Sequence, residues 1–237
     1  MSDTKAESTA IVLVGAGGLG RQALNYVLEA IRPSPHMRVK GFLDDNPSAL
    51  RPDRCEFPIL GSILDYPIEP QDRFVMAIGD CVKRAELIRK MEARSARFIT
   101  IIHPTAYVAS NATVGNGCIV GPFSAIGSGA RVGDHVLLNW YSSLAHDSIS
   151  HSFAVLSPYS TANGSAILEE GVFLGTHAVI HPMIRVGAWS KVASGSVVYR
   201  DVPPNCLAFG NPAKAVPKFP TSQGPLLGQD LSGDLTI

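Results

Sequence analysis

The chain has 237 residues, 46% hydrophobic and 17% charged, enough apolar material for two compact domains and too much for a disordered chain. Twenty basic residues offset twenty acidic ones, so no net field draws the protein to nucleic acid, an anionic membrane or another polyanion, and recognition has to be local. Cys55, Cys81, Cys118 and Cys206 form no C-x-x-C pair, MSDTKAEST at residues 1–9 is no signal peptide, and no apolar run nears the roughly 18 residues of a membrane span; free thiols, no metal and a soluble cytoplasmic protein are expected.

From Ala10 the order is an apolar run AIVLVG, a glycine-rich turn, and a segment with helical apolar spacing at Leu24, Val27, Leu28 and Ile31. RVKGFLDDN gives a second strand ending at Asp44, RFVMAIGD a third, VKRAELIRKMEA a helix and RFITIIHP a final strand. This alternation predicts a small parallel sheet of Rossmann-like α/β type over 10–101, after a flexible start at 1–9. Gly15, Gly17, Gly18 and Gly20 sit in a G-x-G-x-x-G pattern between strand and helix, with Asp44 at the distance of a ribose-binding acid. Alone the pattern reads as NAD binding, but the chain lacks a second catalytic domain for hydride transfer. Gly79, at the end of the third strand, lies on the edge where ligands enter parallel sheets.

At Ile102 the composition changes. Every sixth residue from 102 to 198 is a large aliphatic in fifteen of seventeen cases, Ser150 and Ala162 being the exceptions, and the residue four places later is always Ala, Ser, Cys, Val or Ile up to 196. A period of six fits neither a helix nor a simple strand; it predicts a parallel β-helix over 102–200, each hexad giving one short strand and a corner that glycine eases, three hexads making one coil. Residues 201–237 form a C-terminal extension and a Pro- and Gly-rich tail, flexible or docked.

Coils of eighteen residues stack residues eighteen apart at about 4.8 Å. His146, the second residue after Leu144, therefore points outward with Gly164 above it and Ser128 below it, beside Asp147, where the repeat weakens. An imidazole beneath a glycine whose N–H no side chain shields pairs a general base with an oxyanion donor.

The repeat resembles the hexapeptide-repeat, left-handed β-helix acyltransferases, and NWYSSLAHDSIS with FLGTHAVIHP and FGNPAK resembles the PglD/NeuD-like sugar acetyltransferases over about 10–216. The resemblance implies the left hand, acetyl-CoA as donor, His146 as base oriented by Asp147, a nucleotide-linked amino sugar as acceptor, and a homotrimer with active sites between subunits. It also implies nucleotide-sugar contacts at Gly15, Gly17, Gly18, Asp44, Asp45, Gly79 and Asn139. Gly164, Gly175, Thr176, Gly195 and Lys214 would serve the thioester cofactor, small residues leaving a groove and Lys214 meeting phosphates. The chain departs from the pattern at Leu19 and Val155, where relatives often carry histidine, and at Trp140 and Tyr141, where they carry smaller residues. An O-acetyltransferase acting on a sialic-acid-type hydroxyl stays open. A γ-carbonic-anhydrase-like zinc site at His151 is weakened because no histidine stacks on His146 or His151, leaving only His135 or His177 to approach from elsewhere.

Overall fold

The computed structural model describes residues 8–50 and 55–218; the polar start at 1–7 and the tail at 219–237 lie outside the described residues. An N-terminal α/β unit contains β1 (Thr9–Val14), α1 (Gly18–Ile31), β2 (Met37–Leu43), β3 (Ile59–Gly61), β4 (Asp72–Met76) and α2 (Cys81–Glu92). Its parallel sheet runs β3-β2-β1-β4. All but the first residue of β1 are buried, as expected for a parallel strand covered on both faces. β3, in FPILGS, is too short to show a period and is not predicted.

Seventeen two-residue strands, β5–β21, follow from Ile101–Ile102 to Val197–Val198. They stack in parallel with an eighteen-residue offset, for example Ser143 on Thr161 and Leu144 on Ala162, so the chain is a parallel β-solenoid with three faces. The first face carries Leu137–Leu138 and its stacked equivalents, the second Ser143–Leu144, the third Ile149–Ser150. The second residue of each strand turns inward: Val120, Ile126, Leu138, Leu144, Leu156, Leu168, Leu174, Ile180 and Val192 are fully buried in one core. A hairpin of β22 (Cys206–Gly210) and β23 (Ala213–Pro217) extends the first face.

Three expectations are corrected. RFITIIHP is not a strand of the α/β sheet: Phe98 makes one isolated bridge to Phe74, and Ile101–Ile102 pairs with Ile119–Val120 of the solenoid. At this first coil Ile101 is buried and Ile102 is 40% exposed, because α1 covers the outside of the first face while no coil lies beneath the inside. The glycines that directly follow an interior residue do not supply positive φ. That falls on the third residue after the interior one and is taken by Gly117, Gly129, Gly171 and Gly195, but as often by Tyr141, Asp147, Phe153 and Tyr159 among others. A glycine directly after the interior residue instead allows close approach of the next coil: a Cβ at Gly127 would lie 2.8 Å from Ala145 C and His146 N.

The two units share a core. Ile101, Ile119, Leu137 and Val155, the outward residues of the first face, pack with Leu24, Tyr26 and Val27 of α1. Arg84 of α2, fully buried, donates from Nε to His135 O (3.0 Å) and from Nη1 to Met76 O and Ile78 O (2.5 and 3.2 Å). Burial without a carboxylate partner pulls its guanidinium down to about 10. Among the described residues no helix is long and apolar enough to cross a membrane.

Candidate active site

The corner between the second and third faces holds His146 and Asp147. The hexad rule fixes their directions: Leu144 fills the interior, so the second residue beyond it projects outward, and Asp147 at φ +58° makes the turn. His146 Nδ1 and Asp147 Oδ2 are 2.9 Å apart, with the two side chains 68% and 65% exposed. A carboxylate can only accept, so Nδ1 carries the hydrogen and the lone pair is left on Nε2.

Two glycines on neighbouring coils make room for this pair. A Cβ at Gly164 would overlap the ring at Nε2 and Cε1, so the imidazole lies directly on that glycine and covers it. On the other side, a Cβ at Gly129 would sit 2.7 Å from Asp147 Oδ1. Gly129 is a site residue that the sequence reading missed, although it stands eighteen residues before Asp147. Gly164 N–H has no acceptor among the described residues, whereas the N–H groups at the same corner position of Asn116, Asp134 and Ala188 are capped by Asp134, Ser152 and Glu169 side chains. The ring of His146 lies over this glycine, at the stacking position the eighteen-residue register expects.

The other predicted cofactor residues are elsewhere on the chain. Gly175, Thr176 and Gly195 lie at the corner between the first and second faces, on the opposite edge of the second face from His146. Gly175 is closed by the next coil, where a Cβ would meet Ser194 N at 2.6 Å, so no groove opens at it. Gly195 (φ +70°) is exposed with open space beside it, and its N–H donates to Thr176 O at 2.9 Å. Lys214 is exposed on β23.

In the α/β unit Gly15 (φ +99°) turns the chain against Ala77, and Gly17 and Gly18 are exposed at the start of α1, whose first N–H groups have no side-chain cap. That end is the positive pole of a fourteen-residue helix. Asp44 is already engaged: Oδ2 accepts from Ala16 N (2.7 Å) and Oδ1 from Asn46 N (2.9 Å), so it braces the glycine turn. Asp45 accepts from Ile63 N (3.0 Å). Both nonetheless border a cavity of about 780 Å³ that runs between the end of β2 and residues 55–62. Gly79 stands across the sheet edge beside Leu19. Asn139 joins the two units: its Oδ1 accepts from Gln22 Nε2 (2.7 Å), Tyr26 Oη (2.9 Å) and Trp140 N (2.9 Å). Burial pushes the Tyr26 phenol up to about 12, which keeps it a donor.

Neither histidine needed for a zinc site reaches His151. His135 is packed against Phe98 and Phe153 and bonded to Glu92, His177 stacks on Tyr159, and among the described residues no three His, Cys, Asp or Glu side chains converge on one point.

Comparison with known proteins yields four relevant likenesses. Residues 10–91 match the family described as the PglD N-terminal domain. The chain is 28% identical over 219 residues to GDP-perosamine N-acetyltransferase of Escherichia coli O157:H7, covering 89% of this chain and 97% of that one. Among solved structures, PerB from Caulobacter crescentus in complex with CoA and GDP-perosamine aligns with TM-score 0.77 at 30% identity over 87% of this chain and 97% of that one. The acetyltransferase domain of PglB from Neisseria gonorrhoeae in complex with acetyl coenzyme A aligns with TM-score 0.80 at 25% identity, covering 88% and 100%.

Proposed function

The chain belongs to the PglD/NeuD-like sugar acetyltransferases of the hexapeptide-repeat superfamily, and from that premise we propose that it transfers the acetyl group of acetyl-CoA to the amino group of a nucleotide-linked amino sugar, with His146 as general base. The observation that carries the base assignment is the imidazole laid on Gly164, tied at Nδ1 to Asp147 and open at Nε2.

In this reading the amine nitrogen attacks the thioester carbonyl while Nε2 takes one of its protons. Asp147 holds the tautomer and stabilises the imidazolium that forms. The Gly164 N–H, with no acceptor of its own, donates to the oxygen that becomes negative. When the tetrahedral centre collapses, the C–S bond breaks and the imidazolium returns its proton to the departing thiolate, so no acyl-enzyme forms. A placed base supplies about 10²–10⁴ in rate and one oxyanion donor about 3–4 kcal/mol; the remainder comes from holding amine and thioester together.

The division of labour follows the architecture. The uncapped start of α1 with its exposed glycines suits the diphosphate, and the cavity beside Asp44 and Asp45 suits the nucleoside. Since Asp44 and Asp45 spend oxygens on Ala16, Asn46 and Ile63, they act chiefly by shaping that pocket.

The test is acetyl-CoA turnover, followed by thiol release, with a panel of GDP-, UDP-, dTDP- and CMP-linked sugars carrying either a free amine or only hydroxyls. Acetylation of an amino sugar that falls about 10²–10⁴-fold in His146→Ala supports the reading. Turnover of a hydroxyl sugar alone, or an unaffected His146→Ala enzyme, refutes it.

A further inference from the structure

Helix α1 lies along the first face and runs against the direction in which the coils grow. Glu29, near its end, meets His103 at 2.9 Å, and Gln22 meets Asn139, two coils later, at 2.7 Å. The helix rises about 10.5 Å from Gln22 to Glu29 and two coils rise about 9.6 Å, so the two keep step. Gly18, about 6 Å before Gln22, therefore stands between one and two coils beyond Asn139. The uncapped N–H groups of α1 point onward to the coils that carry Phe173 and Lys191. The other half of the sheet's carboxyl edge reaches the same coils. Cys81 Sγ, at the start of α2, lies 3.8 Å from Val172 O, and Asp80 Oδ2 lies 3.7 Å from Lys191 Nζ. Leu19 bridges the two helix starts, since a Cβ at Gly79 would touch it at 3.5 Å. The edge at which parallel sheets bind their ligands thus ends over the solenoid at Lys191.

Lys191 breaks the composition of its column. It pairs with Phe173 and Leu207 among the outward residues of the first face, whose earlier members, Ile101, Ile119, Leu137 and Val155, are apolar and covered by α1. Its Nζ stands 5.8 Å from the centroid of the Phe173 ring, and the side chain is 36% exposed. Asp80 is too distant at 3.7 Å to accept a hydrogen bond from it, and that carboxylate already caps α2 by accepting from Lys83 N at 2.9 Å. Positive charge is in excess around it. Arg84, fully buried and without a carboxylate partner, donates to Ile78 O just behind the edge. Cys81 lies in the field of Arg84, Lys191 and Lys218 as cations, with Asp80 opposing them. Burial, and after it the neighbouring Lys191 ammonium, pulls Lys218 below the ordinary lysine value. Crowded cations beside an uncapped helix start are relieved by an anion.

Resting on the acetyltransferase reading above, we infer that Lys191 is a substrate-binding residue whose ammonium closes on the diphosphate of the nucleotide-linked sugar seated at the start of α1. The glycine turn offers backbone N–H donors without a full charge, and Lys191 adds that charge from the solenoid of the same chain. On binding, the ammonium exchanges its loose contact with Asp80 for phosphate oxygens. A staple between the two units would use the same Lys191–Asp80 pair, and the two roles differ in what Asp80 does. For a staple, losing either partner is equivalent. For a diphosphate seat the two losses are opposed, because Asp80 competes with the phosphates for the ammonium.

Calorimetric titration with GDP, UDP and dTDP, and with guanosine, uridine and thymidine as phosphate-free controls, separates these roles. Lys191→Met keeps the stem on Phe173 and should weaken whichever diphosphate binds wild type by about tenfold, the size of one charged hydrogen bond. It should also flatten the salt dependence of Kd and leave any nucleoside affinity unchanged. Lys191→Arg should restore most of the loss. Asp80→Asn, which keeps an N-cap side chain, should bind the diphosphate as tightly as wild type or more tightly. In turnover, Lys191→Met should raise KM for the sugar nucleotide about tenfold and leave kcat within about twofold. Equal losses in Lys191→Met and Asp80→Asn, an unchanged Kd in Lys191→Met, or a wild type that binds none of the three diphosphates would overturn the inference. A Lys191-dependent diphosphate affinity in a protein that acetylates no amino sugar would uphold the seat and remove the acetyltransferase reading.

Discussion

Of the three histidine–carboxylate pairs on the described solenoid, His103–Glu29, His135–Glu92 at 3.0 Å and His146–Asp147 at 2.9 Å, the last two lie on different corners and differ in almost everything else. His135 is 5% exposed, stacked on Phe153 and T-shaped against Phe98, with its carboxylate supplied by α2. Burial is the main cause holding its pKa below the ordinary imidazole value; Glu92 opposes this, and Arg84 adds to it. His146 is largely solvent-exposed, paired with its own neighbour in sequence, and rests on a glycine. Ion-pair distance therefore does not separate a structural histidine from a chemical one. What separates them is hexad position and what covers the corner: His135, third after Val132, lies under the α/β unit, and His146, second after Leu144, projects from an uncovered edge.

That contrast can be broken from either side. The largest effect falls on His146→Ala, expected to lose about 10²–10⁴ in turnover with a melting temperature close to wild type, since an exposed ring contributes little to folding. Gly164→Ala should cost about 10² in turnover, because a methyl group there collides with Nε2 and moves the base by about an ångström; circular dichroism should stay native. His135→Ala should do the converse, lowering stability by about 2–4 kcal/mol in chemical denaturation as a buried ring is lost and changing kcat little. His135 should also give stability a pH slope. The unfolded chain binds a proton near pH 6.5 that the folded protein resists, so stability is complete above that value and declines as the pH falls below it. Thermal scans between pH 5 and 7.5 should show a shallower acid-side decline in His135→Phe. The smallest effect on kcat is expected for Gly129→Ala, where the new methyl group would meet the Asp147 carboxylate at its Oδ1 and the positive φ of +68° adds a modest cost in stability; a loss of about tenfold or less in kcat fits a displaced orienting group.

The hexad count made the solenoid legible because one buried aliphatic per strand is obligatory in a prism this narrow, and it stacked His146 on Gly164 before any coordinates. The face that meets α1 was equally written in the sequence: Ile101, Ile119, Leu137, Val155 and Phe173 form an unbroken apolar column every eighteen residues, where the other two faces interrupt their outward columns with Thr, Ser or Arg. A period of six averages over that column and hides it. Gly175 misled for a related reason, since small residues at that corner admit the next coil rather than a ligand. Asn139 could not be read either, as its partners Gln22 and Tyr26 lie 117 and 113 residues away on α1. An aromatic stack was visible only as two unusual residues, Trp140 and Tyr141, until the register aligned Phe123, Tyr159 and His177 with Tyr141.

The central claim, that the imidazole lying on Gly164 is the base, is tested most directly by introducing Gly164→Ala into both wild type and His146→Ala and measuring kcat. The account predicts a loss of about 10² in the presence of the ring and no further loss in its absence, because the methyl group then occupies space the ring has vacated. An equal loss in both backgrounds would contradict it, since Gly164 would then act without reference to His146.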